Sequence, residues 1–410
     1  MDTLTHIALG AACAEATLGK KIGNRAMVWG AFGGILPDFD VFANLVTNEI
    51  NALAFHRGIM HSILFIFFAA LGLSWWTEWL YRSGHFKQRW YKMSVYFFIL
   101  ILIISVAGSL NYFAFSEEKG LNLQLLAATI AACVWLGWLL WKKYYRTDFL
   151  VVTATRAQWF WLFLTSISSH VLLDCFNPYG TQIFQPFSNY PVAFTTLSVL
   201  DPLFTLPILV CILLVTAHQK DNKYRRHVNW LGMALGGAYL LFTVWHKEKM
   251  NDVFERSLTN QGIQFQRFMT SPTMLNNFLW QGVALGDTAI YHGTWSFLEK
   301  EPHIAQFNVL SKNHELVAEY ENDKAIRVLK WFTRDYFTVL KIDENTLQVN
   351  DLRYGSTGEN FNSEDKYVFR FILEDENGKL NAHQLRSYHR MTLAGLKKLW
   401  RRIKGERYEE

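Results

Sequence analysis

The chain has 410 residues, 51% of them hydrophobic and 16% aromatic, including 16 Trp and 32 Phe, which is too apolar for an ordinary soluble domain. A net charge of +5 is mild for this length, and no stretch is basic enough to suggest a nucleic-acid partner. The four cysteines, Cys13, Cys133, Cys175 and Cys211, sit in apolar runs, which fits buried single thiols better than disulfides or a zinc–thiolate site. No cleavable signal is evident, since the first residues lack a basic stretch and a small-residue cleavage site.

A helix needs about 20 mostly apolar residues to cross a bilayer. Eight candidates follow in chain order. His6–Gly19 is short, rich in Gly and Ala, and carries Glu15; Ala26–Val46 is interrupted by Pro37-Asp38-Phe39-Asp40. Both could be re-entrant, because broken backbone is tolerated at membrane depth when protein surrounds it. Ser62–Leu80, Met93–Tyr112, Leu123–Trp141, Gln158–Phe176, Ser198–Ala217 and Val228–Trp245 are cleaner.

Alternate connecting loops are basic. Lys20, Lys21 and Arg25 lie in the first, Arg82, Lys87, Arg89 and Lys92 after the third span, Lys142, Lys143, Arg146 and Arg156 after the fifth, and Lys220, Lys223, Arg225 and Arg226 after the seventh. Phe113–Asn122 has only Lys119, and Asn177–Leu197 has no charged residue. Basic loops stay in the cytoplasm, so the N-terminus, residues 56–61, the loop after Asp174 and the C-terminal region are expected outside. Trp75, Trp76, Trp79, Trp138, Trp141 and Tyr144 suit interfacial span ends.

From Lys247 onward the apolar runs shorten and charges multiply. Asn251–Phe268, Glu315–Phe332 and Leu393–Ile403 read as helices; Phe278–Leu285, Ala289–Phe297, Tyr336–Ile342, Thr346–Leu352 and Tyr367–Leu373 read as strands, with a turn at residues 376–379. The basic residues of the last helix fit a solvated face better than lipid headgroup binding. The expected fold is therefore mainly α: a polytopic transmembrane helix bundle over residues 1–246 with a C-terminal soluble α+β domain over residues 247–410.

Four polar islands interrupt this apolar chain: Asp2 with Thr5-His6; Pro37-Asp38-Phe39-Asp40; His56, Arg57, His61 and Ser62; and His170 with Asp174, followed by Asn177, Tyr179, Gly180 and Thr181. Such groups are costly in hydrocarbon, so they are functional candidates by default. His170 and Asp174 are four apart and share a helical face, a pairing that suits a divalent metal such as zinc. Singly, each island has a plainer reading: a histidine hydrogen-bonded inside the bundle, or a Pro-Asp helix cap. His56 and His61, five apart, share a helical face poorly, so a bend intervenes or one of them is not a ligand. Together, all four fall toward the outer ends of their spans, which points to one shared metal site of His6, Asp38, Asp40, His56, His61, His170 and Asp174. Asp201-Pro202 reads as a helix cap. His292, His303, His314, His383 and His389 are scattered without ligand spacing, and there is no Gly-rich phosphate loop or G-x-S-x-G elbow.

The order Asp2…Thr5-His6, Pro37-Asp38-x-Asp40, His56-Arg57-Gly58-x-x-His61-Ser62 and His170-x-x-x-Asp174…Gly180-Thr181 resembles the membrane-bound, metal-dependent hydrolase family, also described as LexA-binding, inner-membrane-associated hydrolases. That family looks distantly similar to zinc-dependent phospholipase C and the single-strand-specific nucleases. The resemblance covers roughly the first half of the chain. It implies clustered zinc, with His170 and Asp174 matching a His-x-x-x-Asp ligand helix and Asp38 or Asp40 an early aspartate. It also implies hydrolysis of a lipid or lipid-linked phosphoester at the outer face of the cytoplasmic membrane, with Asp38 or Asp40 as proton acceptor and Arg57 on a phosphate oxygen. Membrane lipids are the expected surroundings and a lipid-like molecule the substrate. The competing expectation is a non-catalytic membrane protein with a structural metal site and an outer domain that binds a partner.

Overall fold

The computed structural model describes residues 1–114, 122–145, 152–356, 367–376, 379–386 and 393–406. Lys119, Arg146, the turn residues Asn377 and Gly378, and His389 fall outside them. The described chain divides into two compact units, one of Met1–Leu71, Phe160–His389 and Trp400–Glu410, the other of Gly72–Trp159 and Arg390–Leu399.

The smaller unit is built from apolar helices: the second half of α5 (Ile63–Arg82), α6 (Arg89–Ala114) and α7 (Leu123–Leu140). Gly137 brings α7 close to α6, where a Cβ would meet Leu100 at 3.4 Å. Asn111 Nδ2 donates to Thr129 Oγ1 across the same pair at 2.8 Å. Inter-helix polar contacts of this kind hold bundles together where lipid removes the hydrophobic drive for association.

The larger unit begins with α1 (Thr3–Ala14), capped by Asp2, whose carboxylate accepts from the Thr5 backbone N–H at 3.0 Å. A wide π-turn, Glu15–Gly19, leads into the short α2 (Lys20–Ile22) and then α3 (Asn24–Ile35). α1 and α3 pack backbone to backbone. A Cβ on Gly30 would lie 2.4 Å from the Gly10 carbonyl oxygen, and one on Gly34 would lie 2.4 Å from that of His6. This is the small-residue packing of membrane helices. At Leu36 the chain turns into a 3-10 segment, Pro37–Leu45, bent by 48° from α3. Then come α4 (Glu49–Phe55), a single 3-10 turn at Ile59–His61, and the start of α5. α8 (Arg156–Asp174), α9 (Pro202–Thr216) and α10 (Lys223–Asn260) complete the helices of this half. Asp201 caps α9 as expected, accepting from the Leu203 N–H at 3.0 Å.

Four helices among the described residues are long and apolar enough to cross a membrane: α5, Arg89–Gly108 of α6, α7 and α10. α3 with the 3-10 segment makes a fifth if the bent pair is one span. Three other expected spans are helices of a different kind. α1 has 12 residues and α9 has 15. α8 spans 19 residues but carries Gln158, three serines, His170 and Asp174, which lower its hydropathy.

The C-terminal part contains two antiparallel four-stranded sheets, each in simple order. The first is β1 (Arg267–Pro272), β2 (Leu279–Leu285), β3 (Ala289–Ser296) and β4 (Asn308–Ser311). After α11 (Lys324–Thr333) comes the second, β5 (Phe337–Lys341), β6 (Thr346–Ser356), β7 (Tyr367–Glu376) and β8 (Lys379–Arg386), and then α12 (Leu393–Ile403). The expected helix over Asn251–Phe268 is corrected in two ways. α10 runs unbroken to Asn260, and β1 begins at Arg267. The last turns of α10 supply the core of the first sheet, with Met250, Val253, Phe254 and Leu258 packed on Trp280, Ala284, Trp295 and Phe307. The expected helix over Glu315–Phe332 is split into a 3-10 segment, His314–Tyr320, and α11. α4 buries Ile50 and Leu53 against Ile326, Leu329, Phe332 and Val339, so the second sheet and α11 hold the segment leading into His56.

Candidate metal centre

Three chain segments converge. Asp38 lies in the first turn of the 3-10 segment after α3, His61 ends the short turn before α5, and His170 and Asp174 stand one turn apart at the end of α8. One donor atom from each of these four residues lies within 4.8 Å of the other three. His61 Nε2 is 3.1 Å from His170 Nε2, 3.7 Å from Asp38 Oδ1 and 3.6 Å from Asp174 Oδ2. His170 Nε2 is 3.5 Å from both Asp38 Oδ1 and Asp174 Oδ2. Donors about 2.0–2.1 Å from one tetrahedral ion stand about 3.3 Å apart, so five of the six edges match an ion-sized gap.

The surrounding groups fix which nitrogen faces that gap. His170 Nδ1 faces the Gly34 carbonyl oxygen at 2.6 Å, which makes Nδ1 the donor and leaves Nε2 as a free acceptor. His61 Nδ1 lies 3.1 Å from Asp40 Oδ2 without hydrogen-bond geometry, so Asp40 faces that side of the ring as a charge. Imidazole ligands are commonly held this way, with the second nitrogen on a carbonyl or carboxylate. Asp40 therefore sits behind the His61 ring, away from its Nε2. It also accepts from the Arg57 backbone N–H at 2.8 Å and contacts His56 Nδ1 at 2.8 Å. His56 is thus tied to Asp40 and stands edge-on to His61, with ring centroids 6.1 Å apart. His6 stacks on His170 at 3.6 Å between centroids, and its Nε2 is 3.3 Å from Asp174 Oδ1.

Several buried atoms here have no hydrogen-bond partner: both ring nitrogens of His6, Arg57 Nε and Asp174 Oδ2. Orphaned polar atoms are costly in a protein interior, and a cluster of them beside facing imidazole nitrogens fits a bound cation. His61, His170 and Asp174 are fully buried, whereas the Asp38 side chain is 27% exposed, so the gap opens at Asp38. Burial disfavours a charged His61, but Asp174, Asp38 and Asp40 around it push its pKa up to about 10, so these carboxylates call for a positive charge that a bound cation would supply in place of the imidazole proton.

Arg57 closes one side. Its Nε is 3.2 Å from Asp174 Oδ2, its Nη1 donates to Asn177 Oδ1 at 2.8 Å, and its guanidinium lies over the Tyr179 ring at 4.7 Å. Its backbone is left-handed at φ +58°, rare without a glycine. The Asp40 bond to its N–H and the Gln182 N–H bond to its carbonyl, at 3.0 Å, hold it there. Asp2 and Thr5, from the first island, serve the α1 cap, with Thr5 Oγ1 also bonded to Thr205 Oγ1. The Met1 amino group contacts Asp174 Oδ1. The Gly34 carbonyl carries no side-chain signal and could not be foreseen; the Gly30–Gly34 spacing announces close helix packing only.

A multi-pass membrane chain with a buried His and Asp cluster at its helix ends is the class these features define. The chain matches the YdjM inner membrane protein family over residues 1–111 and 124–250, and it belongs to that family. It is thus an inner membrane protein, as the motif order led one to expect. No curated protein and no solved structure matches it, so the expected likeness to zinc-dependent phospholipase C has no counterpart there.

Proposed function

We propose that this chain is an integral-membrane, zinc-dependent hydrolase of a lipid or lipid-linked phosphoester, with its site and C-terminal region outside the cytoplasm. The observation that carries the reading is the set of four donor atoms facing one gap beside a buried arginine. Asp38, His61, His170 and Asp174 would hold the ion, with His6 against His170 and Asp174. The chemistry supplied when a divalent ion is bound is activation of water and polarisation of a phosphoryl oxygen.

The chain's own groups account for the rest. Arg57, with Nε on Asp174 and Nη1 on Asn177, would offer its Nη2 to a phosphate oxygen, while Asn177 and Tyr179 hold its orientation. Asp38, the carboxylate open to solvent, is placed to accept a proton. Asp40 is a positioning residue for His61 and Arg57. Beyond Asp38 the 3-10 segment exposes Val41, Phe42 and Leu45, an apolar rim suited to a substrate that stays in the bilayer.

One observation favours the competing reading. Four protein donors fill a tetrahedral zinc, as in structural sites, whereas catalytic sites keep a place open. In that case the outer domain binds a partner and the metal only fastens helices. The deciding experiment is metal analysis of the purified protein, with a screen of phospholipids and lipid-linked phosphates before and after chelation. Stoichiometric metal and chelator-sensitive phosphate release is the expected outcome; stoichiometric metal with no release from any phosphoester would support the structural reading.

Asp40→Asn separates a positioning role from a ligand role. It is expected to weaken metal affinity about 10–100-fold while full loading persists at saturating metal, as measured by chelator competition. Complete loss of loading would make Asp40 a ligand, and unchanged affinity would remove it from the site.

A further inference from the structure

Apart from the metal centre, the larger unit has a cleft of about 590 Å³ where the loop after α8 meets α10 at Lys247 and Asn251, β1 and the end of α11. That volume lies in the range of small-molecule sites. Its walls carry Lys247, Arg267 and Arg334 together with Tyr190, Trp331 and Tyr336. The three cations are unequally engaged. Lys247 Nζ donates to Thr195 Oγ1, the Thr270 carbonyl and Thr270 Oγ1, and so ties the walls together. Arg267 pairs with Asp335 at 3.0 Å and lies over the Tyr336 ring. Arg334 pairs with no carboxylate among the described residues; its Nη2 donates to the Pro191 carbonyl at 2.6 Å and its Nε has no partner. No carboxylate is among the residues that line the cleft, and neighbouring Asp335 is matched by Arg267, so the lining keeps a positive excess.

Its height in the membrane is set by α10. The apolar part of that helix, Val228–Trp245, ends at Trp245, an interfacial residue type, and Lys247 follows one position after His246. The loop opposite, residues 184–194, has no charge and exposes Phe184, Phe187, Tyr190 and Phe194, with Phe187 85% exposed. Exposed aromatics beside the end of a span belong to the headgroup layer.

We infer that this cleft binds the phosphate-bearing headgroup of an anionic membrane lipid. Arg334 is the phosphate ligand, Arg267 supports it, and the loop aromatics lie among the headgroups. Basic pockets beside spans take anionic headgroups by charge and by forked hydrogen bonds. A soluble phosphoester offers the same phosphate without the bilayer, so the two sources must be separated.

The full chain in phosphatidylcholine nanodiscs is titrated with short-chain phosphatidylglycerol, and bound lipid per protein is counted by native mass spectrometry. Glycerol phosphate serves as soluble competitor. The expected result is retention of phosphatidylglycerol over phosphatidylcholine, weak competition by glycerol phosphate, and a loss of about 10-fold or more on Arg334→Asn, since a forked guanidinium–phosphate contact is removed. Asparagine suits the left-handed backbone of residue 334, φ +54°, so folding is spared. Arg334→Lys, which keeps the charge but not the fork, should fall between the unaltered chain and Arg334→Asn. Exposed Tyr190→Ala provides a second variant without a folding burden and should also weaken retention, and the thermal unfolding midpoint reports the fold throughout. Equal retention of the two lipids, or undiminished retention in Arg334→Asn, would overturn the proposal. Competition by glycerol phosphate as strong as by lipid would assign the cleft to a soluble anion instead.

Discussion

Replacing His170 by alanine is expected to strip the chain of its divalent metal and to lower phosphoester hydrolysis by more than about 100-fold, beyond the 10–100-fold typical of a residue that only orients a ligand. His170 Nε2 lies 3.1–3.5 Å from donors of His61, Asp38 and Asp174, so its removal takes away one corner of the donor set. Its removal is also cleaner than that of Asp174, which would leave the buried Arg57 without its carboxylate. His218, half-buried after α9 with Nδ1 on the Leu214 carbonyl, is the control and should change neither quantity. Elemental analysis and phosphate release are read on the same samples. A His170→Ala protein that keeps full metal content would dismiss the site; one that loses the metal without losing hydrolysis would separate the two.

The second large effect concerns Glu15 and Arg225. Arg225 Nε and Nη2 each donate to a Glu15 carboxylate oxygen at 2.6 Å, and both side chains are almost fully buried. Arg225 Nη1 also donates to Asn24 Oδ1, to the Val215 carbonyl and to the His218 carbonyl. The pair therefore ties the π-turn after α1 to α3, α9 and α10. Breaking a buried pair from one side leaves a charge without compensation and costs about 3–5 kcal/mol. Arg225→Ala is expected at the upper end, because Glu15 has no other partner among the described residues, while Glu15→Ala leaves Arg225 its other acceptors. Glu15→Leu combined with Arg225→Met should recover much of the loss. Thermal unfolding of the purified variants measures all three, and a midpoint for Arg225→Ala equal to that of the unaltered chain would show that the pair contributes nothing net.

The ease of reading this sequence varied with how local each signal was. His170 and Asp174, four apart, declare a shared helical face, and α12 has the bounds that its amphipathic pattern gives, Leu393–Ile403. Strands β2, β3, β5, β6 and β7 start within a residue of their expected positions, because alternation of apolar residues is a property of each strand alone. β1, β4 and β8 were not anticipated, because none alternates cleanly: β1 buries Thr270, Ser271 and Pro272 in a row, β4 buries only Leu310, and β8 mixes Asn381, His383 and Gln384 with its apolar residues. Glu15 and Arg225 are 210 residues apart, and spacing carries no information at that range. At the site, residue type announced histidines and aspartates, but only coordinates separate Asp38, at the Nε2 side of His61, from Asp40, at the Nδ1 side.

The peptide group of Gly34 links architecture to reactivity. Its Cα allows α1 to approach so closely that no side chain fits, and its carbonyl oxygen is the anchor for His170 Nδ1. The distance between two membrane helices is thereby transcribed into the direction of an imidazole. Any displacement of α1 against α3 would therefore reach the His170 ring through this one carbonyl.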